Sequence, residues 1–134
     1  MERKQAMEMF NKTARIGALA TANKNGDVNV AVFGSPRMID DETVIMAIGD
    51  NRSYRNLQEN PKASFIVVEP GDAPMAWKGA RLYLEVSEFE RYGELLDSFR
   101  ENIRKMAGDK SANAIVAAIR FKVTDVRPLI APSA

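Results

Sequence analysis

Arg52 and Ser53 are the residues whose types and spacing best suit one piece of chemistry, the holding of a phosphate. They fall in a stretch, 46–62, that reads as strand, turn and short helix. The apolar run 43–48 ends at Gly49, polar turn residues follow, and 54–60 has helical character until Pro61 closes it. Arg52 and Ser53 therefore stand where a helix begins. A first helical turn leaves backbone N–H groups without partners and carries the positive end of the dipole. Arg52 adds a forked cation and Ser53 a hydroxyl, so a phosphate monoester would find charge-assisted bonds there. The same residues also fit a plainer arrangement, with Asn51 or Ser53 as N-cap and Arg52 as a solvated charge.

Composition removes most other chemistry. The chain has 134 residues, 19 Lys plus Arg against 18 Asp plus Glu, a net charge of +1, and neither cysteine nor histidine. The charge balance gives no electrostatic case for nucleic acid or an anionic membrane. Without Cys or His there are no disulfides, no thiolate or imidazole bases, no Ser-His-Asp triad and no sulfur- or imidazole-bound metal, so no metal site is expected. Carboxylates, Lys, Arg, Tyr, hydroxyls or a bound cofactor must supply whatever reaction occurs. The charged start of the chain lacks the apolar core of a signal peptide, and no run approaches the roughly 18 apolar residues that span a bilayer. A cytoplasmic location is the expectation.

The elements that must position Arg52 and Ser53 can be read in outline, as one domain over 1–134. A helix is expected over 2–12. Strands follow over 16–22, which is rich in Gly17, Ala18, Ala20 and Ala22, over 28–34, and over 43–48. The Asn25-Gly26 turn joins the first two and Asp40-Asp41-Glu42 leads into the third. A fourth strand is read over 63–68 and a fifth over 78–90. A last one covers 114–126, its alternation failing at Asp125-Val126 as at a bulge. A helix over 92–107 carries Leu95, Leu96, Phe99, Ile103 and Met106 on one stripe. The strands over 43–48 and 63–68 are continuous apolar runs, which implies burial of both faces and, in so small a domain, a homodimer. The expected fold is mainly β with flanking helices, a six-stranded antiparallel Greek-key split β-barrel.

The order Gly26-Asp27-Val28-Asn29-Val30, then Asp40-Asp41-Glu42-Thr43, then Arg52-Ser53 before Asn56-Leu57-Gln58-Glu59-Asn60-Pro61 resembles the pyridoxamine phosphate oxidase-like, FMN-binding split-barrel family. The resemblance covers roughly 14–86, with an extension toward the C-terminus, and is strongest to the small FMN-binding members. It implies FMN as cofactor. The isoalloxazine ring would lie along Val30, Ala31, Val32 and Phe33 and the ribityl chain along Ala47 and Ile48, with Asn51, Arg52 and Ser53 at the phosphate. Trp77 and Lys78 would reach the ring, in some members from the partner subunit. Trp77 equally suits an interface anchor. The strands over 30–34 and 46–49 are expected to be neighbours.

The family's longer oxidases carry basic and aromatic residues in the C-terminal strand, where this chain has only Arg127, so vitamin B6 oxidation is not implied. Two functions remain open. One is an FMN-dependent oxidoreductase of unknown substrate and unknown catalytic residues, with a nicotinamide or small electron-transfer partner. The other is a non-catalytic flavin-binding or electron-carrier module. A deazaflavin-dependent reductase is a further alternative. Lys78, Arg81 and Arg127 are the polar groups that could meet a substrate.

Overall fold

A computed structural model of the chain describes residues 1–12 and 15–130. Helix α1 (Arg3–Phe10) leads into strands β1 (Ile16–Ala22), β2 (Val28–Val32), β3 (Arg37–Asp40) and β4 (Thr43–Gly49). Helix α2 (Arg52–Glu59) follows, then β5 (Lys62–Glu69), a single 3-10 turn (Pro74–Ala76) and β6 (Lys78–Glu90). Helices α3 (Glu94–Ala107) and α4 (Asp109–Asn113) and strand β7 (Ile115–Pro128) complete it. The seven strands form one antiparallel sheet in the order β2-β1-β5-β6-β7-β4-β3.

Seven strands stand where six are expected, because the chain leaves β2 at Val32 and Gly34-Ser35-Pro36 breaks the run before β3. Proline cannot continue a ladder, so the 28–34 segment and the turn at 40–42 belong to different hairpins. Those hairpins stand at opposite ends of the sheet. The expected adjacency of 30–34 with 46–49 is thereby corrected: β4 pairs with β3 and β7, and β2 pairs with β1 alone. What joins the two ends is a side chain. The Ser35 hydroxyl donates to the Ala47 carbonyl and accepts from the Ala47 N–H, both at 3.1 Å.

The long strands β6 and β7 hold the halves together. The first part of β6 pairs with β5, and β7 pairs with β4 through its first half and with β6 along most of its length. Tyr83 faces Asp125 while Leu84 faces Val123, so Thr124 is the extra residue of a bulge. The broken alternation at 125–126 has this cause, and the bulge returns Val126 to the buried side with Phe121 and Val123.

The core gathers Leu19, Met46, Phe65, Leu82, Ile119 and Phe121, closed at one end by Ala6 and Phe10 of α1. Gly17 serves this core, since a Cβ there would lie 2.8 Å from the Phe65 ring. Gly79 is tighter still: a Cβ would run into the Val67 carbonyl oxygen, so only glycine lets β6 start against β5.

The two apolar strands are not wholly buried in one chain. Ile45 of β4 and Ile66 and Val68 of β5 are half-buried on their second face. Nor does α3 cover them. Of its stripe Leu96 alone is buried, Leu95, Phe99 and Ile103 are half-buried, and Met106 is 85 % exposed. Among the described residues no helix is long and apolar enough to cross a membrane.

Candidate functional site

Asn51 begins α2 as its N-cap, its Oδ1 accepting the Tyr54 N–H at 2.9 Å while its carbonyl accepts the Arg55 N–H at 3.1 Å. The plainer reading of Asn51 is therefore realised. It leaves the first two helical amides, those of Arg52 and Ser53, without an acceptor among the described residues. Arg52 is exposed and makes no ion pair among those residues, whereas neighbouring Arg55 is engaged by Asp50 at 3.4 Å. Two amides and a guanidinium thus stand at the positive end of the helix.

Ser53 is a different kind of residue from Arg52. It is buried, and its hydroxyl accepts the Asn29 side-chain amide at 3.1 Å. One turn on, Asn56 donates to the Thr21 hydroxyl at 3.1 Å. Thr21 and Asn29 are cross-strand partners on β1 and β2, so two buried polar contacts seat α2 on that hairpin. Arg91, donating to the Tyr54 hydroxyl at 2.9 Å, fixes the helix from the other side. Ser53→Ala would leave the Asn29 amide without its partner. Thermal or urea unfolding of that variant should show a loss of about 1 to 3 kcal/mol, unlike a surface serine.

An open cleft of about 690 Å³, within the roughly 300–1,000 Å³ of ordinary ligand pockets, reaches Gly49, shortly before this helix in the chain. Its walls are the connection from Val32 to Arg37, the end of β4 at Ala47 to Gly49, and the α3 residues Phe99, Ile103 and Met106. The α3 stripe is a cleft wall rather than a core seam. At the cleft's other margin Arg15 ties three segments together. Its Nε donates to the Phe10 carbonyl at 2.5 Å and its Nη2 to the Pro36 carbonyl at 2.6 Å, with the guanidinium over the Phe10 and Phe65 rings. Burial pushes its pKa below the ordinary arginine value, and it remains a cation.

The structure brings Val32, Phe33, Ala47 and Ile48 together on this cleft, with Asn51, Arg52 and Ser53 just beyond Gly49. Val30 and Ala31 sit on β2, an edge strand whose outer main-chain groups have no neighbouring strand among the described residues. The Phe33 N–H is engaged by the Gly17 carbonyl at 3.2 Å, and the Ala47 main chain by Ser35. Trp77 and Lys78 are not brought here within one chain. Lys78 starts β6 and Trp77 precedes it; the far end of β6 pairs with the part of β7 that runs beside β4, and the Trp77 indole N–H donates to the Gly71 carbonyl at 3.1 Å. Arg81 and Arg127 are cross-strand partners committed locally, Arg81 to the Pro128 carbonyl and Arg127 to Asp125. Sequence reasoning missed Asn29, Ser35 and Arg15 as positioning residues. The Asn of the Gly-x-x-Asn-Val strand was a signal for the first, and a lone serine between Gly34 and Pro36 for the second.

The family model described as pyridoxamine 5'-phosphate oxidase matches residues 4–129. A protein of Methanocaldococcus jannaschii, itself uncharacterised, is 33% identical over 111 residues, covering 81% of this chain and 68% of the other. The crystal structure of an FMN-binding protein from Syntrophomonas wolfei is similar at a TM-score of 0.84 and 27% identity, over 97% of this chain and 87% of that one. HutZ, the heme storage protein from Vibrio cholerae, shares the fold at a TM-score of 0.65 and 20% identity, with 92% of each chain covered. The shared fold, the match along nearly the whole chain and the ordered strand, turn and helix-start residues lead to one statement: the chain belongs to the pyridoxamine 5'-phosphate oxidase family.

Proposed function

We propose that this protein binds FMN and works as a homodimeric flavin-dependent oxidoreductase. The observation that carries the reading is the start of α2, where the Arg52 and Ser53 amides and the Arg52 guanidinium lack partners among the described residues, shortly after Gly49, which lines a cleft of about 690 Å³. That donor set suits a phosphate monoester, and the cleft suits a flat apolar ring. Similarity to the Syntrophomonas FMN-binding protein supports the same assignment. In this reading Arg52 and the first-turn amides hold the phosphate, and Asn29 keeps the Ser53 hydroxyl in place. The free edge of β2 at Val30 to Val32 offers main-chain groups to the ring, and Ser35 and Ile48 border the ribityl chain. Bound FMN would supply electron transfer, and the protein binding and orientation. A heme reading has less support, since the chain lacks His and Cys and offers only weaker or rarer axial ligands such as Met and Tyr.

Support for the dimer comes from β2 and β1. Val28, Val30 and Val32 are 81 %, 69 % and 75 % exposed, and they pair across the sheet with Ala22, Ala20 and Ala18. Such an apolar edge, unblunted by charge, calls for a covering surface. A second copy also offers a route by which Trp77 and Lys78 reach the cleft. Val28→Glu, outside the flavin positions, should convert a species of twice 14.9 kDa into a monomer in sedimentation equilibrium. A wild-type monomer would remove the dimer from the reading. For the cofactor itself, the supernatant of heat-denatured protein purified from flavin-rich cells should hold FMN by chromatography. Colourless protein that takes up no added FMN would end the flavin reading.

A further inference from the structure

The cleft has a charge character that flavin binding leaves unused. Its lining holds Lys12, Arg15 and Arg37 and no aspartate or glutamate, in a chain whose net charge is only +1. Lys12 is neutralised by Glu69 at 2.6 Å. Arg15 is not. It is half-buried, two of its donors reach carbonyl oxygens, and it has no carboxylate partner among the described residues. Carbonyls satisfy hydrogen bonds without cancelling charge, so a partly desolvated cation remains. Arg37, directly after the Pro36 that Arg15 holds, is exposed and likewise without an acidic partner among the described residues. The cleft's other wall is apolar: Phe99 and Ile103 are half-buried, and Met106 stands 85 % exposed on α3.

A concave site with uncompensated cations at one margin and an unfilled apolar wall at the other suits a ligand that is both anionic and apolar. We propose that this cleft binds the substrate as an amphipathic acid, its carboxylate held by Arg15 and Arg37 and its ring or short apolar body covered by Phe99, Ile103 and Met106. That the occupant is a redox substrate rests on the flavin reading; that it is an amphipathic acid does not.

The test is calorimetric titration of the protein, with and without bound FMN, using 2-naphthoate and the neutral 2-naphthalenemethanol as probes. Naphthoate should bind about tenfold tighter than the alcohol, since a charge-assisted contact distinguishes them. Arg37→Gln should weaken naphthoate about tenfold while leaving the alcohol and FMN unchanged. Ile103→Glu, on the half-buried face of α3, should abolish naphthoate binding by placing a carboxylate in the cleft. Equal affinity for the two probes, indifference to both substitutions, or displacement of FMN by naphthoate would overturn the proposal. Naphthoate selectivity without any FMN uptake would leave the acid site standing and defeat the flavin reading alone.

Discussion

Arg52→Ala should weaken FMN binding by about 2 to 3 kcal/mol while leaving riboflavin binding nearly unchanged. The magnitude is that of taking one charge-assisted partner from a phosphate that keeps its amide donors. It falls at the lower end for such pairs because Arg52 is exposed in the free protein and pays little to be there. The fold should be indifferent: Arg52 is the first residue of α2, makes no ion pair among the described residues, and alanine is a good helix former. Arg55→Ala is the control. Its exposed pair with Asp50 at 3.4 Å already engages the charge, so FMN affinity should move by less than about 0.5 kcal/mol. Equal losses for FMN and riboflavin in Arg52→Ala would mean that the residue acts on the ring or the fold.

Phe65→Ala should cost about 3 to 5 kcal/mol of folding stability, a large share of the roughly 5–15 kcal/mol of a domain. The ring is fully buried, packs on Phe10 with centroids 5.2 Å apart, fills the space left by Gly17, and lies under the Arg15 guanidinium at 5.8 Å. Its removal empties the junction of α1, β1 and β5 and loosens one margin of the cleft. Met106→Ala, on the exposed wall, should leave the urea midpoint within the scatter of wild type. A Phe65→Ala midpoint that also matches wild type would mean that this junction is not packed as described.

Much of the fold was legible because local chemistry dictates it. Asn25-Gly26, with Gly26 at φ 85°, makes the β1–β2 hairpin. Asp40 accepts the Glu42 N–H and closes the β3–β4 turn; this hydrogen bond also holds its carboxyl below the usual range. The alternation of β6 and β7, and its failure at the bulge, was plain. The order of strands was not. Two hairpins formed by local turns carry no mark of which sheet end each occupies, and the Ser35 hydrogen bonds that join them are a long-range event. Asn29 was flagged by the Gly-x-x-Asn-Val strand, but its pairing with Ser53, like that of Asn56 with Thr21, was not, since polar residues on separate elements show their partners only once the elements dock. The stripe on α3 was legible but what meets it was not, for a physical reason: helical periodicity identifies an apolar face but not whether core, cleft or partner meets it.

A phosphate site at the start of α2 serving a flavin is tested most directly by equilibrium titration of wild-type protein with FMN, riboflavin and FAD, read by quenching of flavin fluorescence. Binding should saturate at one FMN per chain, with riboflavin weaker by about 2 kcal/mol or more for want of the phosphate. FAD should also bind less tightly, since its second phosphate and adenosine must leave past Arg52. Equal affinity for all three flavins, or no saturable FMN binding, would contradict the assignment.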